Sequence, residues 1–269
     1  MKNITLVVQE TQYHTLAARA VEETLKHIEV DEVLTFSNQP IVAGERLIKI
    51  EHFPSVEAYC QFMLTGMLEH LTTDHLLFVQ WDAMAYDQTK WTDEFLNYDY
   101  IGAPWPWYGD LSCVGNGGFS LRSRRLLEAL QDPKIKMIPN DDTAMHEDRA
   151  IGLRYRPYLE SEYNIRYPRR EVAAQFSYEL GPFQNSFGFH GIWNIIRLAD
   201  DKIADFYIEN MNYQGWNHYK WHHVLFEIGR LNNSVYFDYV LDKMQKHSPD
   251  LVESVLNWLS REDFNQDIY

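Results

Sequence analysis

Short apolar runs alternate with amphipathic stretches through the first third of the chain. Residues 4–8, ITLVV, form a β-branched run suited to a strand buried on both faces. After it, Ala17, Ala20, Val21, Thr24, Leu25 and Ile28 recur at helical spacing and predict one apolar face. Residues 32–36 and 46–50 read as second and third strands. Pro54-Ser55 opens a further helix, with Ser55 as its cap and Glu57 in its first turn. The predicted buried face of that helix is Val56, Tyr59, Phe62, Met63 and Met67. Residues 76–79, LLFV, are a fourth strand that ends at Gln80-Trp81-Asp82. This order predicts an α/β fold with a largely parallel sheet covered by helices.

From residue 99 the pattern changes. Residues 100–107, YIGAPWPW, are punctuated by proline and predicted to be extended. Residues 114–121, VGNGGFSL, read as a glycine turn feeding a strand, and Ser123 as the cap of a helix carrying Leu126, Leu127 and Leu130. A second helix is predicted over residues 146–153. After residue 194 the chain becomes helical, with stripes at Val224, Leu225, Ile228 and Leu231, then Val235, Tyr239, Val240 and Met244. A third stripe, Leu251, Val255, Leu256 and Leu259, follows the helix start Ser248-Pro249. The expected division is a core of residues 1–195 and a helical C-terminal extension of residues 196–269, the latter a candidate surface for homo-oligomer formation.

Composition narrows the functional classes. With 269 residues, 45% hydrophobic and 23% charged, the chain has the make-up of a folded protein. No stretch approaches the ~18–20 apolar residues of a membrane span. The start turns polar after a very short apolar run, so a secretory leader is not expected. Cys60 and Cys113 are too few for a disulfide framework or a zinc ribbon, which favours a cytoplasmic setting. A net charge of −15 opposes broad adhesion to nucleic acid. Arg122, Arg124, Arg125, Arg166, Arg169 and Arg170 nonetheless cluster locally, and Trp81, Trp91, Trp105, Trp107 and Tyr108 could stack on sugar rings or a nucleobase.

Candidate chemistry sits at the carboxyl ends of the strands, where ligands bind in open parallel sheets. Gln9-Glu10-Thr11 and Gln80-Trp81-Asp82 occupy two such ends. Asp82 suits a divalent cation or a turn cap, and the glycines of Gly115-Asn116-Gly117-Gly118 suit a ligand wall or a tight turn. Glu147 and Asp148 read either as favourable charge in a helix's first turn or as a general base. His190, flanked by small residues, suits a metal ligand or a hydrogen-bonded packing residue. His218, His222 and His223 lie in the helical tail and are not read as a metal site.

Taken in order, these features resemble the GT-A class of nucleotide-sugar-dependent glycosyltransferases. More closely, FVQWD at 78–82, YDYIGAPW at 98–105, VGNGGFSLRS at 114–123 and the later Glu147-Asp148 resemble an uncharacterised glycosyltransferase-like family. The resemblance implies a GT-A, Rossmann-like mixed sheet over residues 1–195. It implies transfer of a sugar from a nucleotide-diphosphate donor to a hydroxyl acceptor, with inversion and with Asp148 or Glu147 as base. Asp82 and His190 would hold Mn²⁺ or Mg²⁺. Gln9, Glu10, Thr11, Gln80, Trp81, Asn116, Gly117 and Gly118 would line the donor. Gln80 departs from the pattern, standing where such enzymes carry the first Asp of Asp-x-Asp. The expected acceptor is a surface glycan, ahead of a nucleic-acid base. The alternative is a catalytically inactive GT-A-like sugar-binding or scaffolding protein, and a nucleotidyltransferase lacks its basic glycine-rich loop near residue 10.

Overall fold

The apolar runs of the first third become neighbouring strands of one six-stranded mixed sheet. The computed structural model describes residues 3–109, 114–138, 140–181, 183–214, 216–230 and 234–260. In chain order come β1 (Ile4–Gln9), α1 (His14–Thr24), β2 (Glu32–Ser37), β3 (Arg46–Lys49), α2 (Val56–Thr65), β4 (His75–Val79) and β5 (Ala83–Ala85). They are followed by β6 (Tyr100–Ile101), β7 (Phe119–Ser123), α3 (Arg124–Ala129) and α4 (Glu147–Arg149). A π-helical turn, Ala150–Arg154, continues α4 and leads to α5 (Arg156–Tyr163), α6 (Arg170–Phe176), β8 (Ser177–Tyr178) and β9 (Gly188–His190). The large sheet has the order β3-β2-β1-β4-β7-β6, and a small sheet has the order β5-β9-β8. Strands β3, β2, β1 and β4 run parallel, while β7 is antiparallel to both its neighbours.

Alternation along the strands explains why they read as unbroken apolar runs. Val7 of β1 and Leu76 and Phe78 of β4 enter one core, with Met63 and Leu64 of α2 and Leu126 and Leu127 of α3. Ile4, Leu6 and Val8, with Leu77 and Val79, enter the other, against Ala17, Ala20 and Val21 of α1. Each fully buried large aliphatic or aromatic side chain contributes about 1.5–3 kcal/mol. The predicted caps are in place: Ser55 Oγ accepts from Ala58 N at 3.2 Å and Ser123 Oγ from Leu126 N at 3.0 Å. Val56, expected on the buried face of α2, is 60% exposed. The buried stripe there is Cys60, Met63, Leu64 and Met67, which begins one turn later. The helix expected over residues 146–153 is one α-turn followed by the π-turn, closed by Tyr155 N donating to Ala150 O at 2.9 Å.

The chain divides into two compact units, Met1–His190 and Gly191–Tyr269. The boundary expected at residue 195 therefore falls inside α7 (Ile192–Leu198), the first helix of the second unit. That unit continues with α8 (Asp201–Asn210), α9 (His218–Arg230), α10 (Ser234–His247) and α11 (Val252–Leu259). Helix α9 packs against α7, α10 and α11, burying Val224, Leu225 and Ile228. Leu231 lies outside the described residues. Val240 and Met244 are buried as the stripe of α10 predicts, but Val235, in its first turn, is 75% exposed. Burial lowers the pKa of His222 to about 3, helped by His223 and His218, and that of His223 to about 4, so both rings are neutral packing residues. Among the described residues, no helix is long and apolar enough to cross a membrane.

One buried carboxylate ties the ends of the large sheet's antiparallel strands together. Asp99, 3% exposed, precedes β6 and accepts from Ser123 Oγ at 2.7 Å, Arg125 Nε at 3.1 Å and Arg166 N at 2.7 Å. Burial alone would raise its pKa, but Arg125, Ser123 and the Arg166 amide lower it below the usual carboxylate range. Asp99→Ala should therefore cost about 3 kcal/mol in urea unfolding at pH 7. Because the folded-state pKa is depressed, that contribution is present above the unfolded value of about 3.9 and shrinks as pH falls through the lower, folded value. A difference between wild type and variant that stayed constant down to pH 2 would contradict this account.

Candidate active site

The antiparallel step between β4 and β7 places the end of one strand beside the start of the other. Val79 lies opposite Phe119, and Gln80 N donates to Gly118 O at 2.9 Å. The small sheet adds to the same edge. Ala83 lies opposite His190, which brings Asp82 next to that ring, and the register Tyr178 to Phe189, continued by one residue, brings Glu179 beside it. Asp82, Gln80, Glu179 and His190 thus converge from three segments: the turn after β4, the residue after β8 and the end of β9.

Both nitrogens of His190 are engaged by acceptors. Nδ1 is 3.0 Å from Glu179 Oε1, and Nε2 is 3.0 Å from Gln80 Oε1 and 3.4 Å from Asp82 Oδ1. Burial alone would lower the His190 pKa, but Asp82 and then Glu179 outweigh it and raise it to about 10. The ring is therefore an imidazolium holding two carboxylates together. Gln80 is oriented by its own Nε2, which donates to Tyr59 OH at 2.9 Å and so turns Oε1 toward the histidine.

This donor set fits a divalent cation. Asp82 supplies a carboxylate, Gln80 an amide oxygen and His190, once a cation displaces its Nε2 proton, an imidazole nitrogen, a mixture suited to Mn²⁺ or Mg²⁺. Neighbouring donors around a six-coordinate ion at about 2.1 Å stand about 3 Å apart, close to the 3.0 and 3.4 Å between Nε2 and the two oxygens. Glu179 on Nδ1 is the carboxylate that typically orients a metal-bound histidine. Among the described residues, no three His, Cys, Asp or Glu side chains form a metal-holding group by themselves. The amide oxygen of Gln80 would add a third protein donor.

A second acidic pair lies across a strip that has no side chains. A Cβ on Gly117 would lie 2.6 Å from Glu147 Oε1 and 3.2 Å from Asp148 Cβ, and one on Gly118 would lie 2.2 Å from His190 Cδ2. Glycine is required at both positions because the acidic pair and the histidine press against the strip from its two ends. Asn116 Oδ1 fixes the strip by accepting from Gly118 N at 2.9 Å. Asp148 accepts from Arg149 N at 2.7 Å and from Gly117 N at 3.4 Å. Burial first, and then the charge of Glu147, raise its pKa to about 7, in the range a general base needs.

The remaining sequence-derived candidates lie at the end of β1. Gln9, Glu10 and Thr11 are all buried. Glu10 Oε1 accepts from the amides of Thr11, Gln12 and Tyr13 at 2.8, 2.7 and 3.0 Å, so that oxygen caps the approach to α1. Thr11 Oγ1 meets His52 Nδ1 at 2.9 Å, and Trp81 lies against Tyr13 with ring centres 4.7 Å apart and planes tilted by 31°. Tyr13 also feels Asp82, and it links this end to the cluster. The arginine cluster is divided: some members are buried or held by backbone carbonyls, while Arg125 and Arg166 stay about half exposed beside Asp99. Arg122 is fully buried, Arg124 donates to Thr73 O and Leu71 O, Arg125 to Asp99, and Arg170 to Trp105 O and Tyr108 O. Sequence reading missed Glu179 and gave Tyr59 and Arg122 other roles, Tyr59 on the apolar face of α2 and Arg122 in a local arginine cluster.

Residues 44–190 match a family described as a protein of unknown function, DUF5672, and make up more than half the chain. The chain belongs to the DUF5672 family. The DUF5672 segment holds every residue of the two clusters and the strip between them, and it ends at His190 itself. The β1 end, with Gln9, Glu10 and Thr11, and the helical second unit lie outside it. No curated protein matches the sequence.

Two outcomes check this geometry. Gly118→Ala should displace His190 from Asp82, so that the imidazole midpoint seen by NMR falls from about 10 toward the free value near 6.5. Asp148 has a raised folded-state pKa, so the fold binds an extra proton between the unfolded value, about 3.9, and about 7, and loses stability as pH rises through that window. Asp148→Asn should accordingly be more stable than wild type at pH 8 in urea unfolding, and the advantage should vanish near pH 4. Equal stability at both pH values would refute the burial of this charge.

Proposed function

We propose that the protein is a glycosyltransferase of the GT-A type that moves a sugar from a nucleotide-diphosphate donor to a hydroxyl acceptor. The observation that carries this reading is the glycine strip with a base-range carboxylate at one end and a cation-suited cluster at the other. Direct displacement needs that layout. The diphosphate leaves on one side of the anomeric carbon while a hydroxyl is activated on the other. The sequence resemblance described above supports the same assignment.

In the proposed reaction, Asp148 takes the proton of the acceptor hydroxyl as its oxygen bonds to the anomeric carbon. The bond from that carbon to the diphosphate breaks, and its electron pair leaves with the diphosphate. Attack from the opposite face inverts the anomeric configuration. A divalent ion bound by Asp82, His190 and Gln80 would stabilise the charge of the departing diphosphate. Gly117 and Gly118 let the acidic pair and His190 approach the same short strip, beside which the sugar would sit, and Trp81 beside Tyr13 offers an aromatic surface for the nucleotide. The acceptor is proposed to be a glycan hydroxyl; the burial or pairing of Arg122, Arg124, Arg125 and Arg170 weighs against a nucleic-acid acceptor.

The second reading, a catalytically inactive sugar-binding module, is favoured by one observation: Gln80 stands in the metal-facing position, which leaves one carboxylate fewer toward the ion. Titration calorimetry with UDP and GDP, with and without Mn²⁺, followed by a screen of nucleotide sugars, separates the two. Asp82→Ala and His190→Ala should weaken Mn²⁺-dependent nucleotide binding about 10–100-fold. Asp148→Asn should keep that binding and lose turnover about 10²–10⁴-fold. Binding without any turnover in wild type would favour the inactive module; no binding at all would overturn both.

A further inference from the structure

We propose that Arg122 is the positioning residue of the proton-transfer site. Its buried guanidinium fixes both Glu147 and the Gly117 carbonyl, so that Glu147 serves as a fixed charge and Asp148 alone exchanges a proton with the acceptor. The proposal rests on the transfer reading above and divides the roles within the acidic pair.

Arg122 is the second residue from the end of β7 and has no exposed surface. An arginine there would be destabilising without partners, since burying an unpaired cation costs several kcal/mol. Its partners come from three directions. Nη2 lies 3.3 Å from Glu147 Oε1 and 3.5 Å from Gly117 O, Nη1 donates to Met63 O at 3.3 Å, and Nε donates to Ser120 Oγ at 3.1 Å. Ser120 Oγ in turn donates to Gly117 O at 2.9 Å. The guanidinium also lies over the rings of Phe78 and Tyr100, 5.4 and 5.6 Å from their centres. One side chain thus sets where the glycine strip runs and where the Glu147 carboxylate stands.

Glu147 is saturated by this arrangement. Oε1 faces Arg122, and Oε2 accepts from the Cys60 thiol at 3.7 Å. Asp148, the next residue, faces the same strip and accepts from Gly117 N at 3.4 Å, with no contact to Arg122 among its hydrogen bonds. The charged and titratable groups that face Asp148 are Glu147 on its own helix, Glu179 after β8, Cys60 on α2 and Tyr100 on β6, while Arg149 contributes its backbone amide. Glu147 is the strongest of the charges raising its proton affinity. A carboxylate held by Arg122 beside Asp148 therefore raises the proton affinity of Asp148, as a group that accepts a proton from a hydroxyl requires.

The test uses the full chain labelled with [¹³C]aspartate, with Asp148→Asn assigning the Asp148 carboxyl signal. Glu147→Gln should lower the midpoint of that signal by a unit or more, and Arg122→Lys, which keeps a cation facing Glu147, should leave it within about half a unit of wild type. Near-UV circular dichroism confirms that each variant is folded. If a nucleotide sugar is turned over, the acidic limb of the kcat/KM profile should move with the same midpoint in Glu147→Gln. An unmoved Asp148 midpoint in Glu147→Gln, or loss of turnover at every pH in Glu147→Gln with retention in Asp148→Asn, would overturn the proposal and leave the transferase reading standing. If no nucleotide sugar is turned over by wild type, that reading fails, while the carboxyl titration still decides the relation between Arg122, Glu147 and Asp148.

Discussion

Where β7 runs back alongside β4, the carboxyl end of one strand and the amino end of the next share an edge, and nearly everything chemical in the molecule follows from that reversal. A fully parallel neighbour would have put the start of β7 at the far end of the sheet. Instead Gln80 and Gly118 are joined by a backbone hydrogen bond. The two glycines then lie where the parallel strands open, the position at which α/β sheets bind ligands. The small sheet depends on the same edge, since β5 leaves β4 through Asp82 and pairs with β9 to deliver His190.

The site gathers charge of both signs among largely buried side chains. An imidazolium bridges two carboxylates at one end of the strip, and a guanidinium is sunk beneath the other. Each cation is matched to a specific acid, so the surplus of 15 negative charges over the whole chain is not what holds the cleft together. Such pairs add little to stability compared with an apolar core, because desolvation offsets most of the attraction. They do fix geometry. An acid that keeps its proton until near neutrality and a histidine that keeps its proton beyond it can coexist on one short strip because their partners differ.

Features governed by local rules were legible in the sequence. The strands at Ile4–Gln9 and His75–Val79 could be read because both faces are buried, and Ser55 and Ser123 because a cap needs only its own helix. Gly117, Gly118, Asp82, Asp148 and His190 could be singled out by residue type and do come together. What could not be read depends on register. Glu179 is placed by a two-residue strand, Tyr59 by the amide of Gln80, and Arg122 had the look of a surface cation until the sheet closed over it. Val56 shows the limit of periodicity, which gives the phase of a buried stripe but not the turn at which it begins. Whether Glu10 meets a ligand was equally invisible, since a carboxylate at a strand end can as readily cap the loop that follows.

Cys60 gives this architecture an unplanned use. Its thiol is buried beneath the acidic pair, and burial first, then Glu147, push its pKa up to about 12. Thiolate chemistry at that sulfur is suppressed while α2 stays seated against α4. Alkylation of Cys60 by a small electrophile then measures how often those two helices part. A chemical clock of this kind reads the breathing of the layer beneath the glycine strip.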